Sequence, residues 1–199
     1  MTLYIPRFAF WKPPEETPQA SPDLSWTDPV FRRRLSQLTK MTIHVIHCLM
    51  PGIEDLKTVF VSFMGEISQQ YKINKMQIQD GEISPAAFSI SVFNTAPAKA
   101  SIAMGLEAGY TAIYPKTFYS GFAAAAAPIL AQDLNDILFV YADEYCPCEY
   151  AGVSDSAPPP LAFSAVLSSK KEGIPVVLDS ESDVLKSAQN FLEYLTQKK

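Results

Sequence analysis

Catalysis by side chains alone needs a thiol, hydroxyl or amine held beside a base, and this chain offers few such pairs. Its two histidines, His44 and His47, lie three residues apart, so they share one face of a helix. As a metal pair they lack an obvious third ligand, and they read as ordinary, partly buried histidines. The three cysteines, Cys48, Cys146 and Cys148, do not make a disulfide framework. Cys146-Pro147-Cys148 has one intervening residue, which is not the usual zinc spacing, and no matching Cys or His pair follows. The two thiols read as reduced groups at the end of a strand. Asp143-Glu144 also follows a strand, where carboxylates can do acid–base work or hold a cation. Alone, such a pair reads as a solvated strand end or an interface contact. No G-x-S-x-G elbow is present, and neither is a G-x-x-x-x-G-K-[ST] loop or a G-x-G-x-x-G fingerprint. The expectation is no metal and no cofactor.

The elements that must position these residues follow from composition and periodicity. The chain has 199 residues, 48% hydrophobic and 19% charged. That is enough to build a core, and the length is that of one domain, residues 1–199. A net charge of −5 leaves no basic footprint for nucleic acid; the only dense basic cluster is Arg32-Arg33-Arg34. No apolar stretch reaches the ~18 residues of a membrane span, and residues Met1–Trp11 lack the basic start and cleavage site of a secretory signal. A cytoplasmic location is expected.

Proline is abundant, 16 residues against 8 glycines. It dominates a loop over residues 12–29 and a rigid linker over residues 157–160. Between these, strands are predicted at Leu3–Phe10, Thr58–Phe63, Tyr110–Tyr114, Ile137–Tyr141, Leu161–Ser168 and Ile174–Leu178. Helices are predicted from Asp28-Pro29 to Leu49, over Met64–Ile78, over Tyr119–Leu134 and from Val184 to Leu195. The helix at 119–134 holds five alanines, Ala123–Ala127. So little bulk lets other backbones approach, which places it in the middle of the fold, and Pro128 is expected to perturb or divide it. The order of elements gives an α/β fold with crossover connections and a partly parallel sheet.

One set of segments is more specific. Gly65-Glu66 follows a strand. Then come Ser84-Pro85-Ala86-Ala87-Phe88-Ser89-Ile90-Ser91-Val92-Phe93-Asn94, Ala100-Ser101-Ile102-Ala103-Met104-Gly105, Ser120-Gly121 opening the alanine helix, and the strand Asn135–Val140. In this order and spacing the chain resembles the N-terminal half of a β-ketoacyl synthase, from Leu3 to about Leu167. In particular it resembles the short synthase-like proteins of aryl polyene and related polyketide or fatty acid systems, which are similar to chain length factors. The resemblance implies a thiolase-like fold, a mixed sheet packed between helices.

Two departures shape the function that the resemblance implies. The family's nucleophilic cysteine sits at the tip of a strand–helix turn, and aligning Asn94 and Gly105 without gaps puts that position near Thr117. No cysteine lies within twenty residues of Thr117. The family's catalytic histidines belong to its C-terminal half, and no histidine follows His47. Phe93 also stands where a histidine is usual. The expectation is a non-catalytic chain length factor-like subunit that dimerises with a catalytic β-ketoacyl synthase, meets acyl carrier protein only indirectly, and shapes its partner's acyl tunnel.

Tunnel and interface residues would be Ala86, Ala87, Phe88, Ile90, Phe93, Asn94, Tyr110 and Ile113. Two other readings stand beside it: an independent acyl or thioester hydrolase using Ser120 or Thr117, and a scaffold that binds acyl carrier protein. The acidic surface argues against the scaffold, because carrier proteins are themselves acidic; Arg32–Arg34 would be its one docking site.

Overall fold

The computed structural model describes residues 1–150, 152 and 157–199. Seven strands form one mixed sheet: β1 (Thr2–Ile5), β2 (Phe8–Trp11), β3 (Thr58–Val61), β4 (Tyr110–Ile113), β5 (Asp136–Asp143), β6 (Leu161–Ser168) and β7 (Ile174–Val177). Their spatial order is β4-β3-β5-β6-β1-β7, with β2 also paired to β6. β4, β3 and β5 run parallel; β6 is antiparallel to β5, and β1, β2 and β7 continue the antiparallel half. β3 and β6 are buried along their whole length, which is why they read as continuous apolar runs rather than alternating ones.

Helices cover both faces. On one face α2 (Gln37–His47) and α5 (Thr95–Met104) bury Leu38, Met41, Val45, Ala96 and Ala100 against Phe60, Leu138 and Val140. On the other, α6 (Phe118–Leu130) and the C-terminal α7 (Ala188–Gln197) bury Phe118, Phe122, Phe191 and Leu195 against Phe139, Tyr141 and Phe163. Most of these aromatic rings touch edge to face or tilted, for example Phe122 and Phe139 at 5.4 Å between centroids, an arrangement favoured by the ring quadrupoles; Tyr141 and Phe163 stack. The α/β architecture with a mixed sheet between helix layers is therefore as expected.

Some element boundaries differ from expectation. The strand predicted over Leu3–Phe10 is two strands, β1 and β2, with the break at Pro6-Arg7. Pro6 has no N–H to donate. β1 then pairs chiefly with β7, while β2 runs along β6 from Ala165 to Ala162. The long helix predicted from Asp28 is also two, α1 (Pro29–Arg32) and α2. Ser36 divides them: its extended backbone and side chain cap α2 by accepting from the Thr39 N–H at 2.9 Å.

The alanine helix, by contrast, runs unbroken through Pro128. The carbonyl that Pro128 leaves without a partner is that of Ala124, an exposed residue, so water can satisfy it. Two further helices, α3 (Ile67–Asp80) and α4 (Pro85–Ser89), bury only Ile73 between them.

Candidate functional site

Thr117 ends the turn that joins β4 to α6. It is the N-cap of α6: its side chain accepts from the Ser120 N–H at 3.1 Å, and the Ser120 hydroxyl accepts from the Thr117 N–H at 3.0 Å and donates to the Thr117 carbonyl at 2.8 Å. The two hydroxyls thus form a reciprocal cap. Among the described residues, neither bonds to an imidazole or a carboxylate, so nothing here activates an oxygen nucleophile. The turn is anchored by Phe118, which packs among Phe139, Tyr141, Phe163 and Phe191. Gly121 in the next turn faces Val61 and Pro115 so closely that a Cβ would lie 2.9 Å from Val61 Cγ1.

A second loop, Ser62–Glu66 after β3, is held by Asp143 at the end of β5. The Asp143 carboxylate accepts from the Ser62 hydroxyl at 2.7 Å, the Phe63 N–H at 2.9 Å, the Met64 N–H at 2.8 Å and the Tyr141 hydroxyl at 2.5 Å. Both Asp143 and Glu144 are enclosed, at 0% and 1% exposure. The reading of this pair as a solvated strand end is therefore corrected. Glu144 accepts from the Leu38 N–H at 3.2 Å and the Ser68 N–H at 2.9 Å. These are donors at the starts of α2 and α3 that have no partner inside their own helices.

Glu66 sits beside Glu144, takes a hydrogen bond from the Thr39 hydroxyl at 2.7 Å, and has one oxygen without a partner. Burial, with the Glu144 charge adding to it, pushes the Glu66 carboxyl up to about 8, so it is neutral at pH 7. Burial also raises Asp143 and Glu144 above the usual carboxylate range. The three carboxyls clamp loops and helix starts together. The sequence signal for Asp143 and Glu144 was their place at the end of a buried strand, but not the loop they hold.

The segment Ser84–Asn94 meets this loop. Gly65 adopts a left-handed φ of 57°, and a Cβ there would lie 2.7 Å from the Phe93 ring. Glycine is required on both counts. Phe93 also packs edge-on to Phe60 and Tyr114, each at 6.2 Å, so it belongs to this chain's own core. Asn94 donates from its side chain to the Tyr110 hydroxyl at 3.2 Å, and Gln70 donates to the Ser91 carbonyl at 2.8 Å. Gly65-Glu66, Ser84–Asn94 and the turn before α6 are thereby brought into one region at the β4 edge. Within it Ala86, Phe88, Asn94 and Thr117 are exposed, and Ala87, Ile90, Phe93, Tyr110 and Ile113 are half-buried.

The histidines and Cys48 lie elsewhere; Cys146 is buried within reach of the Glu144 charge, and Cys148 is exposed. His44 and His47 are on α2, on the sheet face opposite α6. His47 stacks on Trp26 at 3.9 Å. His44 Nε2 is 3.7 Å from Cys48 Sγ, but burial lowers the histidine and raises the thiol, so the two are a neutral pair and not a thiolate–imidazolium. Among the described residues no three His, Cys, Asp or Glu side chains group to hold a metal, and no helix is long and apolar enough to cross a membrane.

The family model described as beta-ketoacyl synthase, N-terminal domain, matches residues 9–197. No curated protein matches the sequence. Solved structures with the same fold include a ketosynthase (ApeO) in complex with its chain length factor (ApeC) from Xenorhabdus doucetiae, at TM-score 0.65 and 21% identity over 85% of this chain and 80% of that one. The ishigamide ketosynthase/chain length factor matches at TM-score 0.61 and 10% identity, over 86% of this chain and 64% of that one. A beta-ketoacyl synthase from Burkholderia phymatum matches at 0.55 and 13%, over 76% of this chain and 46% of that one. At these identities the matches describe the fold.

Proposed function

The chain belongs to the β-ketoacyl synthase N-terminal domain family, and from that premise we propose that it is a non-catalytic, chain length factor-like subunit. It pairs with a catalytic β-ketoacyl synthase and shapes that partner's acyl tunnel. The observation that carries this reading is the open edge at β4. β4 pairs only with β3 among the described strands, and large apolar side chains stand exposed on the elements around it. Tyr114 is 72% exposed, Ile102 76% and Phe88 58%. An unpaired strand edge flanked by exposed apolar groups invites another chain. The two structures similar to this chain whose descriptions name a chain length factor also name its ketosynthase. The capped hydroxyl of Thr117, bonded to no imidazole or carboxylate among the described residues, supports the non-catalytic reading. It also disfavours a hydrolase built on Thr117 or Ser120.

Co-expression with a catalytic β-ketoacyl synthase tests the proposal. A 1:1 complex is expected, with a buried area on the order of 2,000 Å² or more, as in obligate interfaces. The double variant Ile102→Asp/Tyr114→Asp should release the partner while keeping its own fold, since both positions are exposed. A monomer at micromolar concentration that ignores the synthase would overturn the reading, and so would a covalent acyl adduct on Thr117 or Ser120 of the chain alone.

A further inference from the structure

At the end of the sheet where β3 and β5 begin, opposite the Thr117 turn, a cavity of about 370 Å³ opens between β1, the end of α2 and the end of α7. That volume lies within the range of small-molecule sites. Its floor is apolar: Ile5 and Leu49 are buried, and Phe8 and Ile174 are half-buried. Its charged side chains are all cations, Arg7, Lys198 and Lys199. Among the described residues, no carboxylate, hydroxyl or amide side chain lines it, and none of the three cations is in an ion pair. Glu54, an acid that feels the Arg7 charge, stands outside the lining, and its carboxylate accepts from the Gly52 N–H at 2.7 Å.

Arg7 is held in place. Its guanidinium donates to the Leu49 carbonyl and, at 3.0 Å, to the Pro51 carbonyl, both just past the end of α2. The end of a helix carries partial negative charge, which offsets part of the arginine's. Two lysines then set the net charge, and a dianion balances them. Lys199 Nζ stands 5.6 Å from the centroid of the Phe8 ring, so cation and apolar surface lie within reach of one small molecule. A sugar or a peptide placed on this floor would leave hydrogen-bonding groups without side-chain partners. A phosphate monoester carries about −1.5 to −2 charge at pH 7, and an apolar body attached to it would cover the floor. We propose that this cavity binds a small phosphate monoester with an apolar body. It shares no residue with the β4 edge and lies at the other end of the strands, so it goes beyond the partner-binding reading and does not depend on it.

Cys48 lines the cavity and is exposed, while Cys148 is exposed outside it. The first thiol reports on the site and the second is its control. The probe is 1-naphthyl phosphate, with 1-naphthol and inorganic phosphate as its separate halves. Each is added to the full chain, and alkylation of the two cysteines by iodoacetamide is followed by mass spectrometry. Saturating 1-naphthyl phosphate is expected to slow alkylation of Cys48 about fivefold or more and to leave Cys148 unchanged. Lys198→Glu/Lys199→Glu, at two exposed positions, should abolish that protection, and Lys198→Arg/Lys199→Arg should keep it. No protection of Cys48 overturns the proposal, and so does equal slowing at both cysteines. Protection that survives the glutamate pair also overturns it. Equal protection by 1-naphthol removes the charge from the recognition, and equal protection by inorganic phosphate removes the apolar body; either result overturns it too.

Discussion

Glu66 shows what a single buried carboxyl does to the whole chain. Its folded value is pushed to about 8 against an ordinary 4.5. Between those values the folded chain holds a proton that the unfolded chain has released, so stability falls as pH rises through that window. Glu66→Gln keeps the shape, still accepts from the Thr39 hydroxyl, and carries no charge at any pH. The expected outcome is a stability profile flatter than wild type from about pH 5 to about pH 8.5, with the variant the more stable of the two at the alkaline end. Thermal melts across that range check it, and parallel profiles would refute it. A residual slope should remain, because Asp143 and Glu144 are raised in the same direction. None of this is legible in the sequence. The partners of these carboxyls include a hydroxyl on α2 and N–H groups of distant loops and helix starts, which one-dimensional spacing does not reveal.

At the scale of elements, periodicity reads well wherever one face alone is buried. α7 is such a helix, with Ala188, Phe191, Leu192 and Leu195 inside, and its apolar positions are spaced as a single stripe. The errors fall where a local competitor acts: Pro6 breaking a strand, and Ser36 starting a new helix. The alanine helix α6 shows both outcomes. Ala125 and Ala126 are buried and Ala124 and Ala127 exposed, so one side of it packs as expected and the other does not.

Its Gly121 gives a sharper test. In a helix interior Gly→Ala normally stabilises by about 1 kcal/mol. Here the added Cβ would meet Val61 Cγ1 at 2.9 Å and Pro115 Cβ at 3.1 Å, both on short, buried side chains that cannot swing away. Overpacking costs about 1–3 kcal/mol, so Gly121→Ala is expected to lower the melting temperature by roughly 2–4 °C per kcal/mol lost. A rise in melting temperature would mean that the helix preference wins and that the approach to β3 is looser than this packing implies.

For the whole molecule, the α/β class was readable from the alternation of elements, and the family from the order and spacing of Gly65-Glu66, Ser84–Asn94 and Ser120-Gly121. The spatial order of the strands was not, because pairing is decided between segments far apart in the chain. The region these motifs build faces outward at the β4 edge, and its use depends on what covers it. Ala86 and Ala87 open α4, a helix that buries none of its own residues. Side chains there do little for this chain's core, and under the proposed function they would line the partner's acyl tunnel. Two methyl groups leave such a tunnel open, which suits a long, rigid chain better than a short acyl group. Ala87→Phe adds a ring at a half-buried position without filling a core space, so the penalty of about 1–3 kcal/mol for overpacking should not fall on the fold. The expected outcome is an assembled complex with the synthase and products shifted to shorter chains, read by mass spectrometry beside gel filtration. An unchanged product profile from an intact complex would remove α4 from the tunnel. Loss of the complex would instead make Ala87 a packing contact of the interface.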